Sequence, residues 1–304
     1  MEKRGFCLSG AWSLGNLGDQ VILRTMAEKL EEYFPGSGIS AISLGENEDI
    51  DGVSYVPGRN IFALIGAMRR SRVLLSGGGS LLQDKTSRRS LWYYLGVLAL
   101  GRLCGCRVVI FAAGVGPVEH PSSRRLTRWV LDHCVDEILL RDAQSARLLQ
   151  TLGVRKNPRV TADVAHLYDA GGIREDVCLL CLRSDGVDAQ ALSKALGMPV
   201  EKLALGPGDP GRKATAEDLS RGRLVISQRL HGLILAGETA LVGLDVDPKI
   251  SAYCARVGAV CTRDTSVQGL VKAAERAAEQ LPTLSGCREN AEENFRILRS
   301  IYEK

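Results

Sequence analysis

Residues 223–249 read RLVISQRLHGLILAGETALVGLDVDPK, and this segment determines the fold that the sequence predicts. Two apolar runs of strand type, 224–226 and 240–244, flank a short apolar helix that Gly237 can end. This order is typical of a βαβ unit in a parallel sheet. Ligands of open α/β sheets bind at the carboxyl edge of the strands, so we expect a site where these two strands end.

That predicted edge carries Arg229, His231 and Lys249. Two fixed cations and a titratable imidazole beside a helix N-terminus favour an anion site with a proton donor. The alternative for His231 is a buried histidine held by a backbone carbonyl, and spacing alone leaves the two interpretations equal.

The same alternation of strands and helices runs through the rest of the chain and predicts doubly wound α/β domains. After a turn-rich loop at 11–19, helices are predicted over 20–34, 60–68, 91–104, 124–134, 143–152, 189–196 and 267–281. Strands are predicted over 6–9, 39–44, 73–75, 107–112, 137–140, 160–161, 177–182 and 202–205, with a helix capping box at Thr215 and Asp218. A polar break at 168–176 separates an N-terminal domain, 1–170, from a C-terminal domain, 171–285. A terminal helix, 286–304, is expected to pack back on the first domain.

Composition limits the class of protein. The 304 residues are 45% hydrophobic and 24% charged, which is typical of globular proteins. The net charge of +4 is too small to indicate a nucleic-acid partner. It is compatible with an acidic small substrate or an anionic membrane surface, but the favoured interpretation is that it has no functional meaning. The chain has nine cysteines, and its first residues lack the apolar core of a signal peptide. Both observations favour a reducing cytoplasm. We expect no metal, because Cys178 and Cys181 lie three apart in a predicted strand and point to opposite faces.

The apolar run at 91–103 is too short to span a bilayer. It predicts a buried core helix, with an interfacial helix that touches lipid as the alternative.

Polar residues follow several other predicted strands. The turn Gly77-Gly78-Gly79-Ser80 can present backbone N–H groups to a phosphate, or it is only a tight turn. It fits neither the dinucleotide nor the P-loop pattern. Gln83 and Asp84 add polar groups at the same edge. In the first loop, Asn16 and Asp19 can bond sugar hydroxyls, and the alternative for Asp19 is a helix cap.

Arg141 follows the strand at 137–140, where a guanidinium can bind a carboxylate or phosphate through two hydrogen bonds. The alternative is an exposed arginine beside an Asp142 cap. Asp163 and Arg183 are further polar residues at predicted strand ends. The other histidines have no converging partners and are predicted to be structural.

Seven polar or glycine-containing segments follow one another along the chain: Gly15-Asn16-Leu17-Gly18-Asp19, Gly77 to Asp84 with Thr86-Ser87, Gly114-Val115-Gly116-Pro117, Arg141-Asp142-x-x-Ser145, Thr161-Ala162-Asp163, Ser227-x-Arg229-Leu230-His231 and Asp247-Pro248-Lys249. In this order they resemble the polysaccharide pyruvyl transferase family, and its CsaB-type members in particular. Each segment alone is weak evidence for the family. The ordered set is specific for it and covers nearly the whole chain. The sequence departs from the family pattern at Gln20, Gln228 and Gly232. These departures are compatible with the pyruvyl-transfer chemistry but weaken what the resemblance implies about the acceptor.

The resemblance implies two Rossmann-like domains of the GT-B type facing across a cleft. It implies transfer of pyruvate from phosphoenolpyruvate to a sugar as a cyclic ketal, the acceptor resembling N-acetylmannosamine on a lipid-diphosphate-linked cell-wall polymer precursor. Arg141, His231 and Lys249 match the family's phosphoenolpyruvate-binding residues, with His231 as general acid or phosphate ligand.

The residues expected to bind the acceptor are Asn16, Asp19, Gly78, Gly79, Ser80, Gln83 and Asp84. Supporting roles are expected for Asp163, Arg183 and Arg229. No cofactor is expected beyond the donor substrate. We expect a cytoplasmic protein, peripheral at the inner face of the membrane, which it contacts transiently. Two alternatives stay open, a nucleotide-sugar glycosyltransferase of the same fold and a non-catalytic glycan or metabolite sensor.

Overall fold

A computed structural model describes residues 4–85 and 87–303, so Thr86 of the second motif lies outside the described residues. The chain divides into two compact units. The first unit contains the chain up to Leu14, Ile22–Leu167 and the chain from Cys287 onward. The second unit contains Gly15–Val21 and Tyr168–Gly286.

The strands are numbered along the chain. They are β1 Gly5–Ser9, β2 Ile39–Ser43, β3 Val53–Pro57, β4 Ser71–Gly77, β5 Arg107–Ala113, β6 Glu137–Leu140, β7 Arg159–Val160, β8 Glu175–Cys181, β9 Val200–Ala204, β10 Arg212–Lys213, β11 Gly222–Ser227, β12 Ala240–Leu244 and β13 Val260–Thr262.

The helices are numbered in the same way, and short 3-10 turns occur at Trp12–Leu14 and Val164–Leu167. The α-helices are α1 Leu17–Tyr33, α2 Ile61–Arg70, α3 Arg88–Leu103, α4 Pro121–Cys134, α5 Ala143–Leu152, α6 Ala189–Leu196, α7 Ala216–Arg221, α8 Leu230–Leu235, α9 Pro248–Val257, α10 Val267–Glu279 and α11 Ser285–Tyr302.

Among the described residues, the first unit has a seven-stranded sheet in the order β3-β2-β1-β4-β5-β6-β7, paired in parallel throughout. Its central strands are apolar and buried, as expected for a sheet covered on both faces. The C-terminal helix α11 lies in this unit, with Phe295 edge-on to Phe111 at 5.1 Å between ring centroids. The Tyr302 hydroxyl also donates a 2.6 Å hydrogen bond to the Arg4 carbonyl.

The second unit has a six-stranded parallel sheet within the described part of the chain, in the order β10-β9-β8-β11-β12-β13. Buried aliphatic side chains of β8, β11 and β12 pack against α6 and α10. The capping box predicted at Thr215 and Asp218 is confirmed at the start of α7. Both units are therefore parallel α/β structures, which confirms the predicted fold class.

Several element predictions were wrong or incomplete. Helix α1 begins at Leu17 rather than at residue 20, so the first motif lies partly inside a helix. Strands β3 and β13 and helix α9 were not predicted. The helix predicted as buried over 91–104 starts at Arg88 and buries only one face, because Trp92 and Leu103 are exposed.

Candidate active site

Three neighbouring strands of the second unit end at one edge. Ser227, the last residue of β11, pairs with Cys181 of β8 on one side and with Gly243 of β12 on the other. The segments that follow these strands carry Arg183, His231 and Lys249. The topology therefore places these three predicted residues at the carboxyl edge of adjacent strands.

His231 is the second residue of α8, and its side chain is only 8% exposed. Its ring lies against Gly18, because a Cβ atom built there would overlap the imidazole. The Leu17 amide donates a 2.8 Å hydrogen bond to the Leu205 carbonyl and fixes the first motif in the second unit. Gly18 is therefore glycine for close approach to His231, a role that sequence reasoning missed.

We expect Gly18→Ala to lower the free energy of unfolding by about 1–3 kcal/mol, the usual cost of overpacking a filled interior. The added methyl would displace the His231 imidazole, so catalytic activity should fall as well. Urea unfolding of Gly18→Ala, compared with Gly38→Ala, measures the cost, since a Cβ atom at Gly38 meets nothing within 4 Å.

A double-mutant cycle assigns this cost to the contact. In a His231→Ala background, Gly18→Ala should destabilise the protein much less, because the ring that it strikes is gone. Equal destabilisation in both backgrounds would show that the glycine is needed for another reason.

Asn16 and Asp19 belong to the same segment of the second unit. The Asn16 side-chain amide donates a 3.0 Å hydrogen bond to Asp19 Oδ2, and Asp19 is buried. Because α1 starts at Leu17, Asp19 lies inside the first helical turn, which differs from the cap that was the alternative. Sugar binding by this pair stays a prediction.

Arg229 forms an ion pair with Asp209, a residue that the sequence analysis did not single out. Arg229 Nε lies 2.9 Å from Asp209 Oδ2, and Nη2 bonds the other carboxylate oxygen. Asp209 Oδ2 also accepts a 2.9 Å hydrogen bond from the Gly206 amide. This pair ties the turn at 206–211 to the start of α8, which favours the supporting role predicted for Arg229.

Lys249 lies in the first turn of α9, whose N-cap is Asp247. Asp247 Oδ2 is 3.4 Å from Lys249 Nζ and 3.7 Å from Arg183 Nη2. Burial would raise the pKa of Asp247, but the Lys249 charge, hydrogen bonds from Lys249 and the Arg183 charge outweigh it and hold the pKa below its ordinary value. Two partly exposed cations thus share one ionised carboxylate.

Two departures from the family pattern have local structural reasons. The Gln228 side-chain oxygen accepts a 2.8 Å hydrogen bond from the Arg183 amide and so joins the segments after β8 and β11. At Gly232, a Cβ atom would overlap the Ser227 hydroxyl. Ser227 Oγ in turn accepts a 2.9 Å hydrogen bond from the Arg229 amide and donates one of 2.8 Å to its carbonyl.

The first unit has its own polar cluster, at the ends of β4, β5, β6 and β7. Arg141 Nη1 lies 2.7 Å from Asp163 Oδ2, and Nη2 donates a 3.2 Å hydrogen bond to the Ser80 hydroxyl. A Cβ atom at Gly114 would lie 2.7 Å from Ser80 Oγ and 3.1 Å from the guanidinium. The structure therefore brings together Ser80, Arg141 and Asp163, three residues that the sequence predicted separately.

Arg141 and Asp163 are only 5% and 3% exposed. Helix α11 holds the Asp163 segment, since Thr161 donates a 2.7 Å hydrogen bond to the buried Asn294 side chain. Asn294 donates in turn to the Ala162 carbonyl at 3.1 Å. Asp142 caps α5 by accepting a 2.7 Å hydrogen bond from the Ser145 amide, as the alternative predicted. The exposed Arg141 of that alternative is wrong, because the residue is buried.

The glycine turn after β4 is an irregular loop rather than a helix start. Gly78 and Gly79 have φ angles of +79° and +67°, which glycine adopts without strain. The Gly79 carbonyl accepts a 3.0 Å hydrogen bond from the Gly114 amide. Gln83, farther along this loop, is partly buried. Phosphate or sugar binding by this loop stays a prediction.

Asp84 is buried and accepts hydrogen bonds from the Glu119 and His120 amides at 2.8 and 3.0 Å. Burial raises its pKa, but these amides, Ser123 and the His120 charge outweigh burial, and the pKa lies below its ordinary value. A carboxylate bound in this way is a weak base. The geometry favours a structural role for Asp84 over a part in proton transfer.

A pocket of about 360 Å³ opens in the first unit where β2 and β3 end. Its polar lining includes Ser43, Asn47, Tyr55 and Arg59. These residues were not predicted as site residues because β3, whose alternation is weak, was not predicted.

Cys178 and Cys181 are fully buried in β8, and burial raises the pKa of both thiols. Residues 4–85 and 87–303 contain no group of three or more His, Cys, Asp or Glu side chains that could hold a metal ion. In the same part of the chain, none of the helices combines the length and apolar character needed to cross a membrane.

The fold is that of the GT-B glycosyltransferases and related epimerases. UDP-GlcNAc 2-epimerase from Methanocaldococcus jannaschii matches with a TM-score of 0.62 and 12% identity, covering 98% of this chain and 99% of its own. Anabaena HepE, solved with UDP and glucose, matches with a TM-score of 0.58 and 11% identity over the whole of both chains. The wall teichoic acid polymerase TagF matches with a TM-score of 0.58 and 10% identity, covering 99% of this chain and 88% of its own.

The sequence model of polysaccharide pyruvyl transferases matches residues 16–237. The chain belongs to the polysaccharide pyruvyl transferase family, and the predicted family is confirmed. No curated protein matches this sequence. The matched range includes Gly18 and His231, whose contact is a central feature of the second unit.

Proposed function

We propose that the protein transfers the pyruvyl group of phosphoenolpyruvate to two hydroxyls of a sugar, forms a cyclic ketal and releases phosphate. The observation that carries this proposal is the edge of the second unit, where His231 and the cations Arg183 and Lys249 follow adjacent strands. Phosphoenolpyruvate carries a carboxylate and a phosphate, and this edge supplies fixed positive charge for both.

In the proposed reaction a proton adds to the methylene carbon of phosphoenolpyruvate, and C2 gains oxocarbenium character. One sugar hydroxyl bonds to C2, the C2–O bond to phosphate breaks, and a second hydroxyl then closes the ketal ring. The two hydroxyl protons balance the proton consumed and the protonation of the departing phosphate. His231 is the proposed general acid, and its alternative role is to bind the leaving phosphate.

Arg141 is predicted to bind phosphoenolpyruvate as well, but its close pairing with Asp163 and Ser80 gives it a structural task. The proposed acceptor is an N-acetylmannosamine unit on a lipid-diphosphate-linked cell-wall polymer precursor. Such an acceptor would bring the protein to the inner face of the cytoplasmic membrane. Phosphoenolpyruvate is the donor, and no further cofactor is proposed.

The direct test is incubation with phosphoenolpyruvate and a panel of lipid-linked and soluble disaccharides, followed by mass spectrometry. A product with one added pyruvyl group and stoichiometric phosphate release would support the proposal. Phosphoenolpyruvate binding without phosphate release on any acceptor would support the sensor alternative. A thermal-shift screen in which UDP-sugars stabilise the protein and phosphoenolpyruvate does not would support the glycosyltransferase alternative.

Lys249→Ala should weaken phosphoenolpyruvate binding at least about tenfold, because a charge-assisted contact contributes about 1.5–3 kcal/mol. Isothermal calorimetry measures the dissociation constant. Lys194→Ala is the matched control, since it removes an exposed lysine of the same unit from helix α6. Equal affinities of both variants would place the phosphoenolpyruvate site elsewhere.

A further inference from the structure

Helices α2, α3 and α4 of the first unit have a charge that differs from that of the rest of the chain. They contain eight arginines against a single carboxylate, Asp132. Their positive charges therefore exceed their negative charges by seven, whereas the excess over the whole chain is only four. The chain outside these helices is net negative.

The same three helices also expose large apolar side chains. Of the eleven such exposed residues among those the structure describes, six lie here, and Phe62 is 82% exposed. The six are Ile61, Phe62, Trp92, Leu103, Leu126 and Trp129. Exposed apolar side chains gathered on neighbouring helices favour an interaction surface.

The three helices that carry these side chains pack side by side and form one face of the unit. Helix α3 packs against both α2 and α4, and the Arg88 guanidinium donates a 3.1 Å hydrogen bond to Ser122 of α4. Arg88 also lies over the Trp92 ring, 5.2 Å from its centroid. We call this face the basic aromatic patch, defined by Phe62, Trp92, Trp129, Arg88, Arg89 and Arg125.

We propose that the basic aromatic patch docks the protein on an anionic lipid bilayer. Arginines attract an anionic lipid surface, and tryptophan and phenylalanine insert at the level of the headgroups. Charge favours this partner over a second copy of the chain, because two identical patches would repel each other. The basic aromatic patch would supply the membrane contact of the proposed function. The reason for docking rests on that function, whereas the docking surface itself is argued from charge and exposure.

The test is co-sedimentation with vesicles of phosphatidylcholine alone or mixed with phosphatidylglycerol. The wild-type protein should bind the mixed vesicles and lose binding at high salt. Arg88→Gln, Arg89→Gln and Arg125→Gln, combined, should lower the partition coefficient roughly fivefold per arginine, which corresponds to about 1 kcal/mol for each cation. The matched control combines Arg263→Gln, Arg296→Gln and Arg299→Gln, which remove the same charge from exposed sites elsewhere.

Tryptophan fluorescence gives a second measurement, because Trp12 is buried and only Trp92 and Trp129 can enter lipid. The emission should shift to the blue with mixed vesicles, and Trp92→Phe with Trp129→Phe should remove the shift. Equal loss of binding in the patch and control variants, equal binding to both kinds of vesicle, or a patch-dependent dimer without vesicle binding would overturn the proposal. Phosphate release with a soluble acceptor reports on the reaction separately, so failure of docking and failure of the proposed function are distinguishable.

Discussion

His231→Ala is expected to lower phosphate release from phosphoenolpyruvate by at least about a hundredfold while the protein stays folded. A general acid or base contributes about 10²–10⁴-fold to a rate, and the proposed chemistry needs a proton delivered to carbon. A coupled phosphate assay under single-turnover conditions measures the loss, and circular dichroism reports on the fold.

His166→Ala is the matched control for this variant. His166 is 6% exposed, so its replacement removes a similarly buried imidazole, but it lies in the first unit and is predicted to be structural. Full activity of His231→Ala would exclude His231 from the mechanism. A comparable loss in both variants would indicate a general effect of deleting a buried ring.

Calorimetry separates the two roles that remain open for His231. If the imidazole is the general acid, His231→Ala should bind phosphoenolpyruvate with nearly unchanged affinity and fail to turn it over. If it binds the leaving phosphate, affinity and turnover should fall together. A solvent deuterium isotope effect on phosphate release that is larger in His231→Ala than in the wild type would show that protonation of the methylene carbon limits the rate of the variant.

The fold was largely predictable because buried parallel strands occur in the sequence as continuous apolar runs. The bounds of β6, α5, α6 and β12 match the predicted ranges to the residue. Strand β3 was missed because it is a short edge strand whose side chains are mostly not buried. Helix α9 was missed because Asp247 and Lys249 were interpreted as polar residues at a strand end, whereas Asp247 is the N-cap of a helix that begins at Pro248.

The candidate site was predictable in its motifs and not in their partners. Residues at strand ends can be found one by one, since topology brings them to one edge. Asp209 and Asn294 carry no local signal, because their roles depend on contacts with Arg229 and Thr161 that are distant in sequence. Gly18 did carry a signal, as a second glycine inside a motif, but only the fold shows that it meets His231.

Variants of the pair formed by Arg141 and Asp163 can distinguish a structural role of Arg141 from a ligand-binding role. Both residues are buried, so Asp163→Ala would leave the Arg141 charge without this partner in a poorly solvated site. We expect the free energy of unfolding to fall by about 3–5 kcal/mol, the usual cost of breaking a buried ion pair on one side. Urea unfolding measures the loss. Glu48→Ala is the control, since it removes a carboxylate from the exposed pair with Arg24 and should cost about 0–1 kcal/mol.

The double variant Arg141→Met with Asp163→Ala completes the test. Removing both charges should restore much of the stability, because no charge is then left buried without its partner. If Arg141 also binds phosphoenolpyruvate, the double variant should still fail to bind it in calorimetry, although its stability is restored. Normal binding by the double variant would show that Arg141 serves the fold alone. Asp163→Ala as mild as Glu48→Ala would instead show that water reaches the pair, and the guanidinium would then be accessible to an anionic ligand as well.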